Sequence, residues 1–456
     1  MPISSDGARD NGMYDVRRIE IGTEKYGIPA FDEALRGDNL VHVRLTAIRD
    51  GKKYIGRRAC FPYASCWKRT VDRISAECAD WPARSHTENI DWIEDTESNH
   101  VSPSAVEALG VTPVIWCRFV FREILRLAAF VLRYAFEEVR WDIGVARSTL
   151  DEFLERPSRV RFHWFIREGK KKYRTKSFAD PMFTTLDGRL SLICERIDPK
   201  GVGSLARIDL DKFDGSHQTI LDDGTHASYP FVFSHEGEEY VIPERACFGR
   251  IDLYKLVRAP RTPRSEPGLE FIATLIPNFA ALDATILQFR GRWWLFATDA
   301  GQSPNAALHL FHAANLRGPW SPHRANPVKI DVRSARSAGR PFVYEGRLFR
   351  PAQDCSGRYG RALAINEIVR LDPEGFSERT VTTIDVAAIH GRRKTAGMYG
   401  AVGVHTLSHR DEWIAVDAQF VRWSLIKPFA LLRDMLRRKR FAMQQARESH
   451  IPEYAA

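Results

Sequence analysis

From residue 141 onward, one pattern of apolar and polar positions recurs along the chain. A polar start precedes a short apolar strand, a turn containing Gly or Asp, and a second apolar strand that ends in an acid. Copies occupy residues 179–198, 228–245, 282–301, 338–355 and, in a degenerate form, 403–420. Repeats of about 50 residues with four strands each are typical of propeller blades. The pattern predicts a mainly β fold, a five-bladed β-propeller over residues 141–420; a βα solenoid is the alternative, with few helical stretches to support it.

The fourth copy indicates where the polar residues gather. A strand at 341–344, the turn Glu345-Gly346 and a strand at 347–351 predict a hairpin. The start of the first strand and the end of the second lie at the same edge of an antiparallel hairpin. Polar residues that bracket the hairpins are therefore expected on one rim, around an axial pocket.

The chain before the propeller has a different pattern. Residues 1–12 are expected to be disordered, and residues 13–112 predict a small α+β domain with a polar linker. Residues 113–140 place apolar side chains at helical spacing with arginines opposite. The expected apolar face of this amphipathic helix holds Phe119, Ile124, Leu127, Val131 and Leu132. We interpret the helix as lying against the next domain; the alternative is a basic helix on an anionic membrane surface.

The C-terminal segment, residues 421–456, predicts a basic helix or tail. Its basic residues Arg433, Arg437, Arg438, Lys439 and Arg440 stand beside the apolar Phe429, Leu432, Leu436 and Phe441. A helix docked on the propeller and a helix on an anionic bilayer explain this composition equally well.

Composition narrows the class of protein. With 44% hydrophobic residues the chain is globular, and its net charge of +9 favours anionic partners without a nucleic-acid groove. Seven cysteines without a C-x-x-C pair predict reduced thiols, no zinc site and a cytoplasmic protein. No secretory signal or membrane span is visible, so we expect a soluble or peripheral protein, with no cofactor. Whether a structural cation lies in the channel of the propeller is left open.

The order of several long motifs resembles a known propeller. These motifs are ADP…CERID, ASYPFVF…YVIPE, LDATIL…WWLFATD, NPVKIDVRSARSAGR and RPAQDCSGRYG. They resemble the N-terminal five-bladed propeller of plant glucosamine inositolphosphorylceramide transferases, which is similar in turn to family-43 glycoside hydrolases. The resemblance implies the fold. It says less about activity, because transfer in the plant enzymes is attributed to a different domain that is not recognisable here.

A second resemblance lies near the N-terminus. Residues 27–84 resemble the second half of a formyltransferase-type domain. The Asn-x-His motif and the downstream Asp that such enzymes use are not recognisable, so the resemblance implies a structural remnant.

The acids that end the repeats are candidate site residues. They are Glu195, Glu244, Asp299, Asp354 and Asp417. Their structural alternative is to bond strand ends and arginines of neighbouring blades. The family-43 resemblance implies that Asp180, in its Asp-Pro context, is the base that activates water. Glu244 is the candidate acid by position, since glycoside cleavage needs two carboxyls with opposed roles. Tyr229 departs from the family pattern, which has Asp there.

Arginines indicate the charge of the ligand. Arg336, Arg340 and Arg350 flank the fourth hairpin and suit bidentate capture of carboxylate or phosphate. A solvated basic face is the alternative. The other expected substrate-binding residues are Glu195, Tyr229, Asp283, Asp354, Tyr359 and His405.

These observations lead to two functional hypotheses. The first is a carbohydrate-active protein of envelope or exopolysaccharide biosynthesis, which transfers or cleaves an anionic or phosphate-linked glycan. Its ligand would be a sugar, sugar phosphate or nucleotide sugar. The alternative is a non-catalytic glycan- or lipid-headgroup-binding propeller that works with a separate glycosyltransferase. In both, we expect a cytoplasmic protein, with the C-terminal helix as the candidate contact to the inner membrane face.

Overall fold

The computed structural model describes most of the chain. The described residues are 16–23, 25–85, 90, 92–96, 110–165, 177–186, 188–213, 216–257, 268–390, 400–429 and 433. Three of the expected segments fall largely outside the described residues: residues 1–12, which were expected to be disordered, most of the linker and most of the C-terminal segment.

The N-terminal unit is an antiparallel sheet with three helices packed on it. Its strands are β1 (Val16–Ile21), β2 (Leu40–Arg49), β3 (Lys52–Pro62) and β4 (Ile93–Glu94). Its helices are α1 (Phe31–Arg36), α2 (Trp67–Cys78) and α3 (Trp81–Arg84). Alternate residues of β2, Val41, Val43 and Leu45, are buried against Ile74 of α2. This period-2 burial explains why the segment folds as a strand with one covered face.

Helix α4 (Pro113–Phe136) follows, and its N-terminus is capped by Thr112, whose Oγ1 accepts a hydrogen bond from the Ile115 N–H at 3.4 Å. Phe119 is buried on the ring of Phe31, with centroids 4.6 Å apart.

The expected apolar face of α4 was wrong in one respect. Ile124, Leu127, Val131 and Leu132 are exposed, and Phe119 is buried. At 3.6 residues per turn, Phe119 lies on a different side of the helix from these four residues. The face that was expected to lie against the next domain therefore faces solvent.

Five further sheets follow, all antiparallel. Helix α4 leads directly into β5 (Glu137–Arg147), α5 (Leu150–Glu155) and β6 (His163–Trp164). Sheet I holds β7 (Ser177–Leu186), β8 (Arg189–Ile197), β9 (Gly203–Asp209) and β10 (Gln218–Leu221). Sheet II holds β11 (Ser228–His235), β12 (Glu238–Glu244), β13 (Ile251–Val257) and β14 (Gly268–Ile276).

The remaining sheets complete the β region. Sheet III holds β15 (Ala281–Phe289), β16 (Arg292–Asp299), β17 (Ala307–Ala313), β18 (Ser321–Pro322) and β19 (Lys329–Ile330). Sheet IV holds β20 (Phe342–Tyr344), β21 (Arg347–Asp354), β22 (Ala362–Asp372) and β23 (Gly375–Asp385), followed by α6 (Val386–His390). Sheet V joins β24 (Gly400–Gly403), β25 (Leu407–Arg410) and β26 (Trp413–Trp423) to β5 and β6. The mainly β class and the five expected hairpins are confirmed.

Apolar side chains fill the spaces between successive sheets. Each layer takes buried residues from the sheets that it joins: Leu205, Phe231 and Leu295 for sheets I to III, Phe296 and Leu348 for III and IV, Phe349 and Leu407 for IV and V, Ile143 and Leu192 for V and I. Sheet V thus packs on the first sheet as well as on the fourth. Burial at about 25 cal/mol per Å² of apolar surface makes these layers the main source of stability.

Gly339, just before β20, forms a bridge with Leu407 of β25 in sheet V. Its φ is +130°, and a Cβ added there would lie 1.9 Å from the carbonyl oxygen of Leu407. We predict that Gly339→Ala lowers the free energy of unfolding by at least about 2 kcal/mol more than Gly346→Ala, measured by urea denaturation. Gly346 is the matched control, since its φ is also positive (+73°) but an added Cβ meets nothing within 4 Å. Equal losses in the two variants would contradict this.

Candidate functional site

The first strands of sheets I, II and III carry the same irregularity. In each, the pairing with the second strand shifts register once. The residue within the shift has a left-handed backbone: Asp180 (φ 52°), Tyr229 (φ 36°) and Asp283 (φ 49°). A bulge of this kind re-aims a side chain and leaves its N–H outside the ladder. The three repeats therefore present one special residue each.

Carboxylates bind the N–H groups that the bulges release. Asp417 Oδ2 accepts a hydrogen bond from the Asp180 N–H at 3.0 Å, and Glu244 Oε2 accepts one from the Asp283 N–H at 2.9 Å. The Tyr229 N–H donates to Asp180 Oδ2 at 3.2 Å. Each bond crosses from one sheet to the next, and a buried N–H needs such a partner. For Glu244 and Asp417 this is the structural role that the sequence left open.

One half of the cluster is built around His405. Its Nδ1 lies 2.6 Å from Asp417 Oδ2, and its Nε2 lies 3.7 Å from Asp180 Oδ1. The Thr406 hydroxyl donates to Asp180 Oδ1 at 2.8 Å. The indole of Trp141 stacks on the imidazole, with centroids 3.9 Å apart. Both imidazole nitrogens thus face carboxylates in a buried setting.

The pKa values of this half follow from burial and from the neighbouring charges. Burial lowers the pKa of His405, but Asp417 and Asp180 outweigh it, so the pKa lies above its usual value. Burial raises the pKa of Asp180 to about 6, against the opposing effect of His405. The arrangement favours an imidazolium beside carboxylates at neutral pH.

The same three residues offer ligand atoms for a cation. One atom each of Asp180, His405 and Asp417 lies within 4.8 Å of the other two. All three side chains already bond one another or Thr406, so a cation would compete with these bonds. The spacing of the histidines in the sequence gave no indication of this set, because its acids come from sheets I and V.

The other half of the cluster is built around Arg336. Its Nε donates to Asp283 Oδ2 at 2.5 Å, and its Nη2 lies 3.4 Å from Glu244 Oε2. The Gln353 amide donates to Asp283 Oδ2 at 2.6 Å. Burial raises the pKa of Asp283 to about 7, although Arg336 opposes the shift. The guanidinium is therefore balanced by protein carboxylates.

Aromatic residues link the two halves. The guanidinium of Arg336 lies 5.1 Å from the ring centroid of Tyr359, whose edge meets the His405 ring at 5.3 Å. The Tyr229 hydroxyl accepts a hydrogen bond from the Gly339 N–H at 2.8 Å. These contacts make one continuous polar cluster, which is buried except at Tyr359, a side chain 36% exposed.

Glu195 is another buried acid of the cluster. It lies on β8 opposite Ala179, beside Asp180, and its carboxylate lies 3.7 Å from His226 Nε2. Burial raises the pKa of Glu195 well above its usual value, and the Asp180 charge adds to the shift. A carboxyl kept protonated near neutral pH can donate a proton.

Comparison with known proteins places this cluster in context. Residues 213–418 match the family described as "Glucosamine inositolphosphorylceramide transferase 1, N-terminal". The chain is similar to that family. The relative from Oryza sativa subsp. japonica is 36% identical over 203 residues, 43% of this chain and 26% of the relative. The Arabidopsis thaliana relative is 33% identical over 183 residues, 39% of this chain and 23% of the relative. The chain thus spans about a quarter of the transferases that it matches, and the resemblance expected from the sequence is confirmed.

Solved structures give a weaker likeness. A thermostable family-43 glycoside hydrolase has a TM-score of 0.36 and 13% identity, covering 50% of this chain and 82% of its own. Zg3597, a family 117 glycoside hydrolase of Zobellia galactanivorans, has a TM-score of 0.37 and 11% identity, covering 63% and 90%. Scores this low carry no argument about the site.

The transferase match covers only part of the cluster. Residues 213–418 include Asp283, Arg336 and His405, whereas Asp180 and Glu195 precede them.

Three expected substrate-binding residues lie outside the cluster. Arg350 is fully buried and ion-pairs with Glu378 at 2.6 Å, while it donates to backbone carbonyls; it is a structural residue. The Arg340 guanidinium donates to the Val232 carbonyl at 2.6 Å.

Asp354 is the third expected substrate-binding residue that lies outside the cluster. It binds Ser356 and Arg361, residues that line a cleft against the N-terminal sheet. These contacts do not support the expectation that the three residues share the rim: Arg350 lies within β21, Arg340 bonds a backbone carbonyl of sheet II, and Asp354 pairs with Arg361.

The sequence did not indicate some of the residues that form the cluster. Trp141 and Thr406 did not stand out, since an aromatic or a threonine in a strand is ordinary. A polar residue at the first position of each repeat was the available signal for the bulges.

The raised pKa of Glu195 predicts a pH-dependent stability. A carboxyl whose folded pKa is raised keeps its proton while the unfolded chain loses it, so stability falls as pH rises from about 4.5. We predict that Glu195→Gln removes part of this fall: relative to wild type, its free energy of unfolding rises between pH 4.5 and 8. Urea denaturation across this range measures it. Glu412→Gln, on an exposed ion pair with Arg147, is the control. Parallel pH profiles for wild type and Glu195→Gln would rule the effect out.

Proposed function

We propose that sheets I to V are the blades of a five-bladed β-propeller and that the polar cluster lies at its axis. Two observations support this. Every successive pair of sheets shares an apolar layer, and sheet V shares one with sheet I. Strands from both ends of the β region also pair in sheet V, as blades do when a propeller joins its ends.

The protein is, in this proposal, carbohydrate-active, and it transfers or cleaves a glycosyl group at the cluster. The observation that carries it is the pair of buried acids Asp180 and Glu195 on the paired strands β7 and β8; burial raises the pKa of both. Glycoside chemistry needs one carboxyl as base or nucleophile and another as acid. The name of the relatives, glucosamine inositolphosphorylceramide transferases, supports a lipid-linked glycan as the ligand class.

The roles of the acids differ from those expected from the sequence. Asp180 remains the base candidate. Glu195 replaces Glu244 as the acid candidate, because Glu244 already holds the Asp283 N–H, the Ser228 hydroxyl and Arg336. The oxygens of Glu244 are therefore already occupied by donors of the protein itself.

The charges of the cluster bear on the sugar that enters it. Its described acids are Asp180, Glu195, Glu244, Asp283 and Asp417, and its described cations are Arg336 and His405. Because carboxyls outnumber cations, we propose that a neutral or amino sugar reaches the cluster. The phosphate-linked part of an anionic glycan would lie outside it.

A non-catalytic sugar-binding propeller is the second candidate. Both carboxylate oxygens of Asp180 already accept hydrogen bonds, from Thr406 and from the Tyr229 N–H. An acid held in this way suits a fixed binding site as well as a base.

The Asp180→Asn variant separates these candidates. Asn tolerates the left-handed backbone, so the fold should persist and the thermal midpoint should stay within a few degrees. Turnover of an activated sugar donor should fall by at least about a hundredfold, the usual contribution of a general base. Asp411→Asn is the matched control, an exposed residue with φ 50°. Full turnover in Asp180→Asn would exclude the catalytic role, and retained binding without any turnover in wild type would favour the second candidate.

The charge of the cluster makes a separate prediction about binding. Glucosamine should bind about tenfold or more tightly than N-acetylglucosamine, since an ammonium-to-carboxylate hydrogen bond contributes about 1.5–3 kcal/mol. Glucose 1-phosphate should bind more weakly than either. Isothermal titration of the three ligands tests this. Tightest binding of the phosphate, with a loss in Arg340→Ala, would restore the anionic ligand expected from the sequence.

A further inference from the structure

Helix α4 turns its charged side toward the protein and its apolar side toward solvent. Glu123 accepts hydrogen bonds from the Tyr63 hydroxyl at 3.0 Å and from the Trp67 N–H at 2.5 Å. Arg126 lies 3.8 Å from the ring centroid of Tyr63 and donates to the Asp38 carbonyl at 3.2 Å. A helix on a water-soluble surface normally has the opposite orientation.

The outward side of α4 holds large apolar residues. At 3.6 residues per turn, they lie on the side away from Phe119. Their exposed fractions lie between 48% and 68%, for Val114, Val120, Phe121, Ile124, Leu125, Val131 and Leu132. An exposed apolar surface of this extent marks an interaction site.

A second exposed apolar segment adjoins the end of α4. Trp423, Leu425, Ile426 and Phe429 are 64–79% exposed. The Trp423 ring lies 6.3 Å from that of Phe136, and the Ser424 N–H donates to the Phe136 carbonyl at 2.8 Å. The two segments therefore form one surface, which we call the apolar platform: the outward side of α4 with residues 423–429.

We propose that the apolar platform is the surface by which this protein lies on an anionic lipid bilayer. No helix in the described part of the chain is long and apolar enough to cross a membrane. An amphipathic helix with basic residues beside its apolar face instead lies in the plane of the interface. This proposal does not depend on the sugar chemistry of the polar cluster.

Charge complementarity identifies lipid as the occupant. Arg118, Arg122 and Arg133 are exposed on α4; Arg118 borders its apolar side, and Arg122 and Arg133 lie nearer to the Phe119 side. Their long side chains can reach lipid phosphates while the apolar residues enter the acyl region. The sequence after the platform, RDMLRRKR at 433–440, contains five basic residues, a composition that favours an anionic surface.

A second copy of the chain is a less suitable occupant. In a two-fold symmetric pair the same surface meets itself, so the exposed arginines of both copies would face one another. An anionic bilayer supplies the opposite charge.

Vesicle flotation with the full chain tests the proposal. The protein should float with vesicles of phosphatidylcholine containing 30% phosphatidylglycerol, and about tenfold less with phosphatidylcholine alone or in 0.5 M NaCl. Leu125→Asp with Val131→Asp should lower binding to the anionic vesicles about tenfold or more. The matched control is Val343→Asp with Val369→Asp, which replaces valines of similar exposure (62% and 64%) on sheet IV.

The exposed cysteines report which surface enters the lipid. Cys117 lies on the outward side of α4, and Cys247 lies outside the platform, in the turn between β12 and β13 of sheet II. An environment-sensitive fluorophore should shift to the blue with anionic vesicles when attached to Cys117 in Cys247→Ser, and not when attached to Cys247 in Cys117→Ser.

The outcomes that overturn the proposal are distinct. Equal flotation of both double variants, or no shift at Cys117, would remove the platform as the lipid contact. A dimer that forms without vesicles and loses its stability in Leu125→Asp with Val131→Asp, with no flotation of wild type, would assign the surface to a second copy. Sugar titration of the α4 variant keeps the two proposals apart, since glucosamine binding should be unchanged by it.

Discussion

The structure depends on hydrogen bonds that cross from the carboxylate of one sheet to the bulged N–H of another. A left-handed residue within a strand frees its N–H from the ladder, and burial makes an unpaired N–H cost about 1–3 kcal/mol. Asp417 meets this need for Asp180, and Glu244 meets it for Asp283. The same acids that fix neighbouring sheets to one another therefore form the wall of the polar cluster.

Closely packed carboxyls explain the electrostatics of the cluster. Five acids share two described cations, so burial and mutual repulsion raise the pKa of Asp180 to about 6 and of Asp283 to about 7. Arg336 and His405 prevent larger shifts. A site with acids that titrate near neutral pH is suited to proton transfer, but it also costs stability as pH rises. The same acids of the cluster therefore carry both the structural hydrogen bonds and the proposed chemistry.

The sequence predicted the hairpins well and the side-chain directions poorly. Alternation of apolar and polar residues, with a Gly turn, was enough to place β20 and β21. The binding role expected of Arg350 did not match its contacts, because its position in the strand did not reveal its partner. That partner is Glu378 on β23, which neutralises the guanidinium in the interior. The prediction of the buried side of α4 failed because apolar residues occur on more than one side of the helix in the sequence. Only the fold of the N-terminal unit decides that the side with Phe119 is buried. The direction of such side chains depends on partners far away in the sequence, and the pattern of a single segment gives no information about those partners.

The transferase similarity and the proposed chemistry rest on different halves of the cluster. Asp283, Arg336 and Glu244 lie within the matched residues 213–418, and their bonds show an ion-paired clamp between sheets. Asp180 and Glu195 lie before the match, on sheet I. The matched region therefore contains the clamp and sheets II to IV. The proposed proton transfer depends on sheet I, whose acids meet the clamp through Tyr229: its N–H binds Asp180, and its hydroxyl lies 2.9 Å from that of Thr285 on sheet III. Tyr229 is thus the residue that joins the acids of sheet I to the strand that carries Asp283.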